Sequence, residues 1–101
     1  MTEPRTVCHT PTPGKQPTTI PTWKYQAIHA AIVQIVPASE PGIVAKDLPE
    51  MVADLLSAEI KAELGSIAWH TTTVKFNMEV DGELARVENA RPQRLILSRQ
   101  T

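Results

Sequence analysis

SIAWHTTTVKFNMEVDG, from Ser66 to Gly82, decides the fold because its pattern fits two different structures. As a strand, it alternates apolar and polar side chains from Val74 to Val80 and then reaches Asp81-Gly82, which is a strong hairpin signal. As a helix, it begins after an N-cap serine and ends at a glycine suited to left-handed backbone. The helix has two nearly opposite apolar stripes, Ile67, Thr71, Val74 and Met78 on one face and Trp69, Phe76 and Val80 on the other. The local pattern alone slightly favours the hairpin.

The residues before this stretch predict a helix and then a turn. Tyr25, Ile28, Ile32 and Ile35 recur at intervals of three and four, which is the spacing of an amphipathic helix. Thr22 is its predicted N-cap, and Pro37 ends it. Pro41-Gly42 predicts a turn, and Ile43-Val44 adds either a short strand or an apolar plug.

Two shorter helices are predicted next. If Asp47 is an N-cap, Pro49 falls in the first turn, where proline is tolerated, and the helix runs from about Leu48 to Leu56. Ser57 can cap a further turn or two, which Gly65 closes. Three or four helices therefore precede the C-terminal segment.

The chain divides into an arm and one domain. Residues 1–21 are rich in proline and threonine, and we predict an extended arm without a packed core, followed by a domain over residues 22–101. The longest apolar stretch, Ala27–Val36, is too short to span a bilayer. The prolines near the N-terminus interrupt the apolar run that a secretory signal needs. Because the single cysteine, Cys8, also fits a reducing compartment, we expect a soluble cytoplasmic protein.

Charge is distributed unevenly along the chain. Residues 40–83 carry nine acidic and three basic side chains, whereas residues 84–101 carry four arginines against one glutamate. The net charge is −1, so the protein lacks the strong positive excess of most nucleic-acid-binding domains. The C-terminal arginines still permit a local anion-binding edge.

Several runs of residues carry a family resemblance. They are Trp69-His70-Thr71-Thr72-Thr73-Val74-Lys75, Gly82-Glu83-Leu84-Ala85-Arg86-Val87, Ala90-Arg91-Pro92-Gln93-Arg94-Leu95, His9-Thr10-Pro11, Pro13-Gly14-Lys15, Lys24-Tyr25 and Pro41-Gly42. Together they resemble a family of small uncharacterised bacterial proteins with a winged-helix-like core. The resemblance covers most of the chain and implies no activity.

The resemblance favours the helical alternative for the deciding stretch. We therefore predict an α+β fold, a winged helix-turn-helix in which three or four helices precede a short antiparallel β-hairpin wing. Ser66–Asp81 is then helical, and Leu84–Val87 pairs antiparallel with Leu95–Leu97.

No pattern of residues indicates catalysis. Cys8 and His9 are adjacent, but His29 and His70 do not complete a zinc site at any recognisable spacing. Ser57, Ser66 and Cys8 lack the companions that a nucleophile needs, and the isolated glycines form no phosphate loop. We expect no enzymatic activity, no metal, no cofactor and no small-molecule ligand.

Two hypotheses of different classes remain. In the first, the domain binds DNA weakly: the major groove would receive Thr71, Thr72, Thr73, Lys75 and Asn77, and either the phosphates or the minor groove would be contacted by Arg91 and Arg94. In the second, the domain binds a protein or forms a homodimer, and the contact stripe is Trp69, Phe76 and Val80. A continuous positive strip from Lys75 to the two arginines favours the first, and an exposed aromatic patch favours the second.

Overall fold

A computed structural model of the chain describes residues 3–98. In chain order its elements are β1 (Arg5–Cys8), β2 (Thr18–Pro21), α1 (Thr22–Ile35), β3 (Ile43–Val44), a 3₁₀ turn (Ala45–Asp47), α2 (Leu48–Leu55), α3 (Ala58–Leu64), α4 (Ile67–Val80), β4 (Leu84–Arg86) and β5 (Arg94–Leu97). The fold is α+β, with four helices and small antiparallel sheets. No helix within residues 3–98 combines the length and apolar character needed to cross a membrane.

The deciding stretch is helical, as predicted. The Ser66 hydroxyl accepts a hydrogen bond from the Trp69 amide (3.1 Å), and Gly82 follows the helix with a φ of 82°. α4 packs against α1 and α2 and buries Val74 and Met78 completely. Because α4 contacts both of these helices, it is the central element of the core.

The C-terminal strands pair as predicted. β4 and β5 are antiparallel, with Leu84 opposite Leu97 and Arg86 opposite Leu95. Ile43-Val44 forms the short strand β3, which pairs with the other side of β5, so the sheet order is β3-β5-β4. Residues 84–97 form a hairpin at the position of the predicted wing, and we use the word wing as a label for this hairpin.

The N-terminal segment is not an arm without a core, and this prediction is wrong for the described residues. β1 and β2 form an antiparallel hairpin, and Cys8 and Ile20 are buried members of the hydrophobic core. The hairpin packs on α4 and α1 and therefore covers a side of α4 that the other helices leave open. A two-stranded ribbon pairs its own backbone groups, so a segment of few apolar residues can add one buried side chain from each strand to the core.

Of the four predicted N-caps, Thr22 is misplaced and Asp47 stands at the N-cap position without a side-chain hydrogen bond. Thr22 is the first residue of α1, and its hydroxyl lies 2.9 Å from the Thr6 hydroxyl of β1. Asp47 precedes α2 but makes no capping hydrogen bond with its side chain, because it belongs to the 3₁₀ turn and has helical backbone angles. Ser57 caps α3 as predicted and accepts a hydrogen bond from the Ile60 amide at 3.2 Å.

Candidate functional site

Most of the α4 side chains that were predicted to contact DNA are buried inside the molecule. Thr71, Lys75 and Asn77 are buried, with relative exposures of 1%, 9% and 5%. Thr73 is half-buried, and Thr72 is exposed. The groove-reading face predicted from the sequence is therefore mostly an internal face of this helix.

Asn77 connects three elements through its side-chain amide. Its Oδ1 accepts a hydrogen bond from the backbone N–H of His9 (2.8 Å), and its Nδ2 donates to the Tyr25 hydroxyl (2.9 Å). Nδ2 also lies 3.3 Å from Asp81 Oδ2, one turn further along α4. Burial raises the pKa of the Tyr25 hydroxyl, which remains a neutral partner of this amide at neutral pH. Asn77 thus holds the N-terminal hairpin and α1 against α4.

Lys75 belongs to a charge cluster in which its own side chain and that of Glu79 are mostly buried and that of Arg86 is 47% exposed. Its ammonium lies 3.2 Å from Glu79 Oε2 and 4.3 Å from the centre of the Phe76 ring. Glu79 also accepts a hydrogen bond from Arg86 Nε of β4, so one carboxylate is shared by two cations. Lys75 is therefore not part of a continuous positive strip on the surface.

The wing carries the predicted arginines on its accessible side. Arg91 is exposed, and Arg94 is half-buried with Nη1 donating to the Gly42 carbonyl at 3.4 Å. The Ala45 amide donates to the Gln93 carbonyl (2.8 Å), which brings exposed Lys46 beside the wing loop. Within residues 3–98, Lys46, Arg91 and Arg94 form no ion pair. We call these three residues the basic edge. Lys46 was missed by the sequence analysis, since only the pairing of β3 with β5 brings it close to the arginines.

A cavity of about 410 Å³ lies between the wing loop and α4. Its lining consists of Ala45, Lys46, Leu48, Pro49, Thr71, Thr72, Lys75, Pro92 and Gln93. Thr71 Oγ1 is buried without a hydrogen-bond partner among the described residues, a condition that costs about 1–3 kcal/mol for a polar group. We call this space the wing cavity.

Gln93 connects the wing cavity to the charge cluster of Lys75, Glu79 and Arg86. With its amide oriented so that Oε1 faces Arg86, this oxygen accepts from Nε and Nη1 of the guanidinium at 3.1 Å each. The cluster and the cavity therefore share Lys75 on α4 and are joined to the wing by Gln93.

A smaller cavity of about 260 Å³ lies between the N-terminal hairpin and α4. Residues of both elements line it, including Cys8, His9, Lys15, Trp69 and Phe76. Burial, together with the negative charge of Asp81, raises the pKa of the Cys8 thiol. A thiol with a raised pKa stays protonated at neutral pH and is a weak nucleophile.

The predicted interaction stripe is partly exposed. Trp69 and Val80 expose 48% and 46% of their surfaces, and Phe76 is half-buried. At 100° per residue the three side chains fall within about 40° of one another on α4. They form one apolar face, which we call the outer face of α4.

The remaining polar candidates have structural partners. Ser57 and Ser66 both use their hydroxyls as helix caps. His29 Nε2 lies 2.7 Å from Glu83 Oε1, and His70 Nδ1 lies 2.7 Å from the Ser66 carbonyl oxygen. Across residues 3–98, no group of three or more His, Cys, Asp or Glu side chains is arranged to hold a metal ion.

Comparisons with known proteins identify a family but no activity. No curated protein and no solved structure matches this chain. A family model matches residues 5–95, which includes the N-terminal hairpin, all four helices and most of the wing. The resemblance to a family without an assigned function is therefore confirmed. The chain belongs to the family described as "Family of unknown function (DUF6958)".

Proposed function

We propose that this chain is a non-catalytic, winged-helix-like module that binds the phosphate backbone of duplex nucleic acid weakly through the basic edge. The arrangement of elements supports the winged-helix part of the proposal. β3 lies between α1 and α2, β4 and β5 follow the last helix, and the three strands join in one antiparallel sheet. A β-hairpin beside a helical core is the arrangement that a winged-helix-like fold requires.

Lys75 is buried, so the strip expected from Lys75 to the arginines is not present, and the proposal rests on the unpaired cations at the basic edge. Phosphate contacts in DNA complexes come mainly from arginine and lysine side chains and carry no sequence information. Arg91 and Lys46 are exposed, and neither makes an ion pair with a described carboxylate. Exposed Glu88 lies in the same wing and opposes phosphate binding, so the affinity is limited. Since α4 buries Thr71, Lys75 and Asn77, the proposed contact reads the backbone and no base edges.

We expect non-specific duplex binding with a Kd no tighter than about 10⁻⁵ M at physiological salt. The double replacement Arg91→Ala with Arg94→Ala should remove most of this affinity equally for duplexes of different sequence, because two of the few available phosphate contacts are lost. Fluorescence anisotropy with labelled duplexes at two salt concentrations measures both effects.

The matched control is Lys15→Ala with Lys61→Ala, which removes the same charge from exposed positions outside the wing. It should retain most of the affinity. Absence of wild-type binding at low salt, where electrostatic attraction is largest, would rule out the proposal. An equal loss in the control pair would assign the effect to net charge and contradict a site at the wing.

The outer face of α4 favours a second candidate, self-association with another copy of this chain. Trp69 and Val80 are large apolar side chains that remain half exposed on one face of the central helix. A symmetric dimer is the commonest way in which a soluble chain covers such a face. In this arrangement Phe76, which lies between them, would become fully buried.

We expect Trp69→Ser with Val80→Ser to abolish any concentration-dependent increase in mass measured by light scattering. Met51→Ser with Leu55→Ser is the control, because those apolar side chains are exposed on α2 at 36% and 49%. A monomeric mass for the wild-type protein at all concentrations would contradict this candidate. So would a dimer that the control pair disrupts as strongly as the first pair.

A further inference from the structure

We propose that the wing cavity binds a small organic monocarboxylate, with the carboxylate at Lys75 and the apolar part of the ligand under the wing loop. This site shares Lys46 with the basic edge but does not use Arg91 or Arg94, and no small-molecule ligand was expected from the sequence. Its volume of about 410 Å³ lies within the range of about 300–1,000 Å³ that is typical of small-molecule sites.

The charges of the residues that line the wing cavity determine the sign of the charge that its ligand should carry. Lys75 lines the cavity and is paired with Glu79, whereas Arg86, the other partner of Glu79, is 47% exposed and does not line the cavity. Lys46 adds another cation to the lining, whereas the lining contains no carboxylate. The lining therefore carries net positive charge, which one carboxylate would compensate. A cationic ligand would meet only repulsion from the lining.

Lys75 retains hydrogen-bonding capacity for such a ligand. An ammonium has three donors, and one of these is directed to Glu79. Lys75 itself lines the cavity, and the centre of the Phe76 ring lies 4.3 Å from its Nζ. The two remaining donors suit a carboxylate, which accepts through two oxygens.

The rest of the lining is suited to a ligand with both polar and apolar parts. Thr71 supplies a hydroxyl that has no partner within the described protein. Thr72 and Gln93 add further polar groups, and the apolar surface comes from Ala45, Leu48, Pro49 and Pro92. Ligand sites characteristically combine a mostly apolar lining with a few convergent polar groups. A neutral apolar molecule would leave both Thr71 and the positive charge without a partner, so the charged ligand is preferred.

Titration of the full chain with benzoate tests the proposal, with benzamide as an uncharged molecule of the same shape. We expect saturable changes in the amide NMR signals of Thr71, Thr72 and Gln93, with a Kd in roughly the millimolar range for so small a ligand.

Lys75→Met should weaken benzoate binding by at least about tenfold, since it removes a charged hydrogen bond. Glu79 keeps Arg86 as its partner in this variant, so the fold is retained. Lys46→Ala, at an exposed position, should weaken binding by a smaller factor.

Lys61→Met is the matched control, because it removes the same charge from an exposed position on α3 outside the cavity lining. It should leave benzoate binding unchanged, as should Arg91→Ala with Arg94→Ala. The last result separates this site from the proposed contact with nucleic acid. Equal responses to benzoate and benzamide would overturn the proposal, as would the absence of a saturable response to benzoate. Equal weakening by Lys61→Met and Lys75→Met would also overturn it.

Discussion

Replacing Gly42 with alanine is expected to lower the free energy of unfolding by about 3–5 kcal/mol. Gly42 has a φ of 72°, and a Cβ at this position would lie 2.1 Å from the Leu95 carbonyl oxygen and 2.9 Å from Ile96 Cγ2. Leu95 lies in the central strand of the wing sheet and pairs with Ile43 on one side and Arg86 on the other. The oxygen cannot withdraw without disturbing both pairings, so the clash has to be relieved by distorting the sheet.

Gly65→Ala is the matched control for this prediction. Gly65 has a φ of 85°, and no atom lies within 4 Å of a Cβ built there. It shares the positive φ, with a ψ of −133°, but not the clash, and we expect a loss of about 1–3 kcal/mol. Urea denaturation of the two variants measures the difference. Similar losses for both would show that the close approach of Gly42 to β5 contributes nothing beyond backbone strain.

The helices were predictable because their signals are local. Ser57 and Ser66 both form the capping hydrogen bonds expected of them, and Pro37 follows the end of α1. The alternation from Val74 to Val80 was ambiguous for a geometric reason. Val74 and Met78 form one pair at spacing i, i+4, and Phe76 and Val80 form another, so four alternating residues also describe two faces of a helix. The structure buries the first pair and leaves the second pair partly exposed.

The N-terminal hairpin could not be predicted in the same way. Its strands are separated by residues 9–17, and each contributes a single buried side chain, Cys8 or Ile20. A strand with one inward residue has too little apolar alternation to be recognised from sequence. Its pairing and its docking on α4 depend on contacts that are distant along the chain.

For the candidate site, only the location of its arginines in the wing could be predicted from the sequence. Arg91 lies exposed on the wing as its sequence context indicated, but the burial of Lys75 and Asn77 was not foreseen. Polar residues on a helix are usually solvated, and burial requires partners that other elements supply. Asn77 is bonded to groups 68 and 52 residues away, on His9 and Tyr25, and no local pattern in α4 reveals them.

We expect Asn77→Ala to destabilise the protein by about 2–4 kcal/mol. The substitution leaves the His9 N–H without its acceptor and removes the donor to the Tyr25 hydroxyl, at the junction between α4, α1 and the N-terminal hairpin. Thr72→Ala is the control, because it introduces alanine at an exposed position of the same helix. Since alanine has the highest helix propensity, Thr72→Ala should be neutral or slightly stabilising. Urea denaturation is the measurement.

A double-mutant cycle with Tyr25→Phe tests whether the Asn77 amide acts through the hydrogen bond that the structure assigns to it. Tyr25→Phe alone leaves one Nδ2 proton of Asn77 without its acceptor, and Asn77→Ala alone leaves the tyrosine hydroxyl without its donor. In the double variant neither group remains, so the combined loss should be smaller than the sum of the two single losses by about 0.5–1.5 kcal/mol. Additive losses would mean that the two side chains contribute independently. A small effect of Asn77→Ala alone would show that the hairpin is held to α4 by burial of Cys8 and Ile20 rather than by this amide.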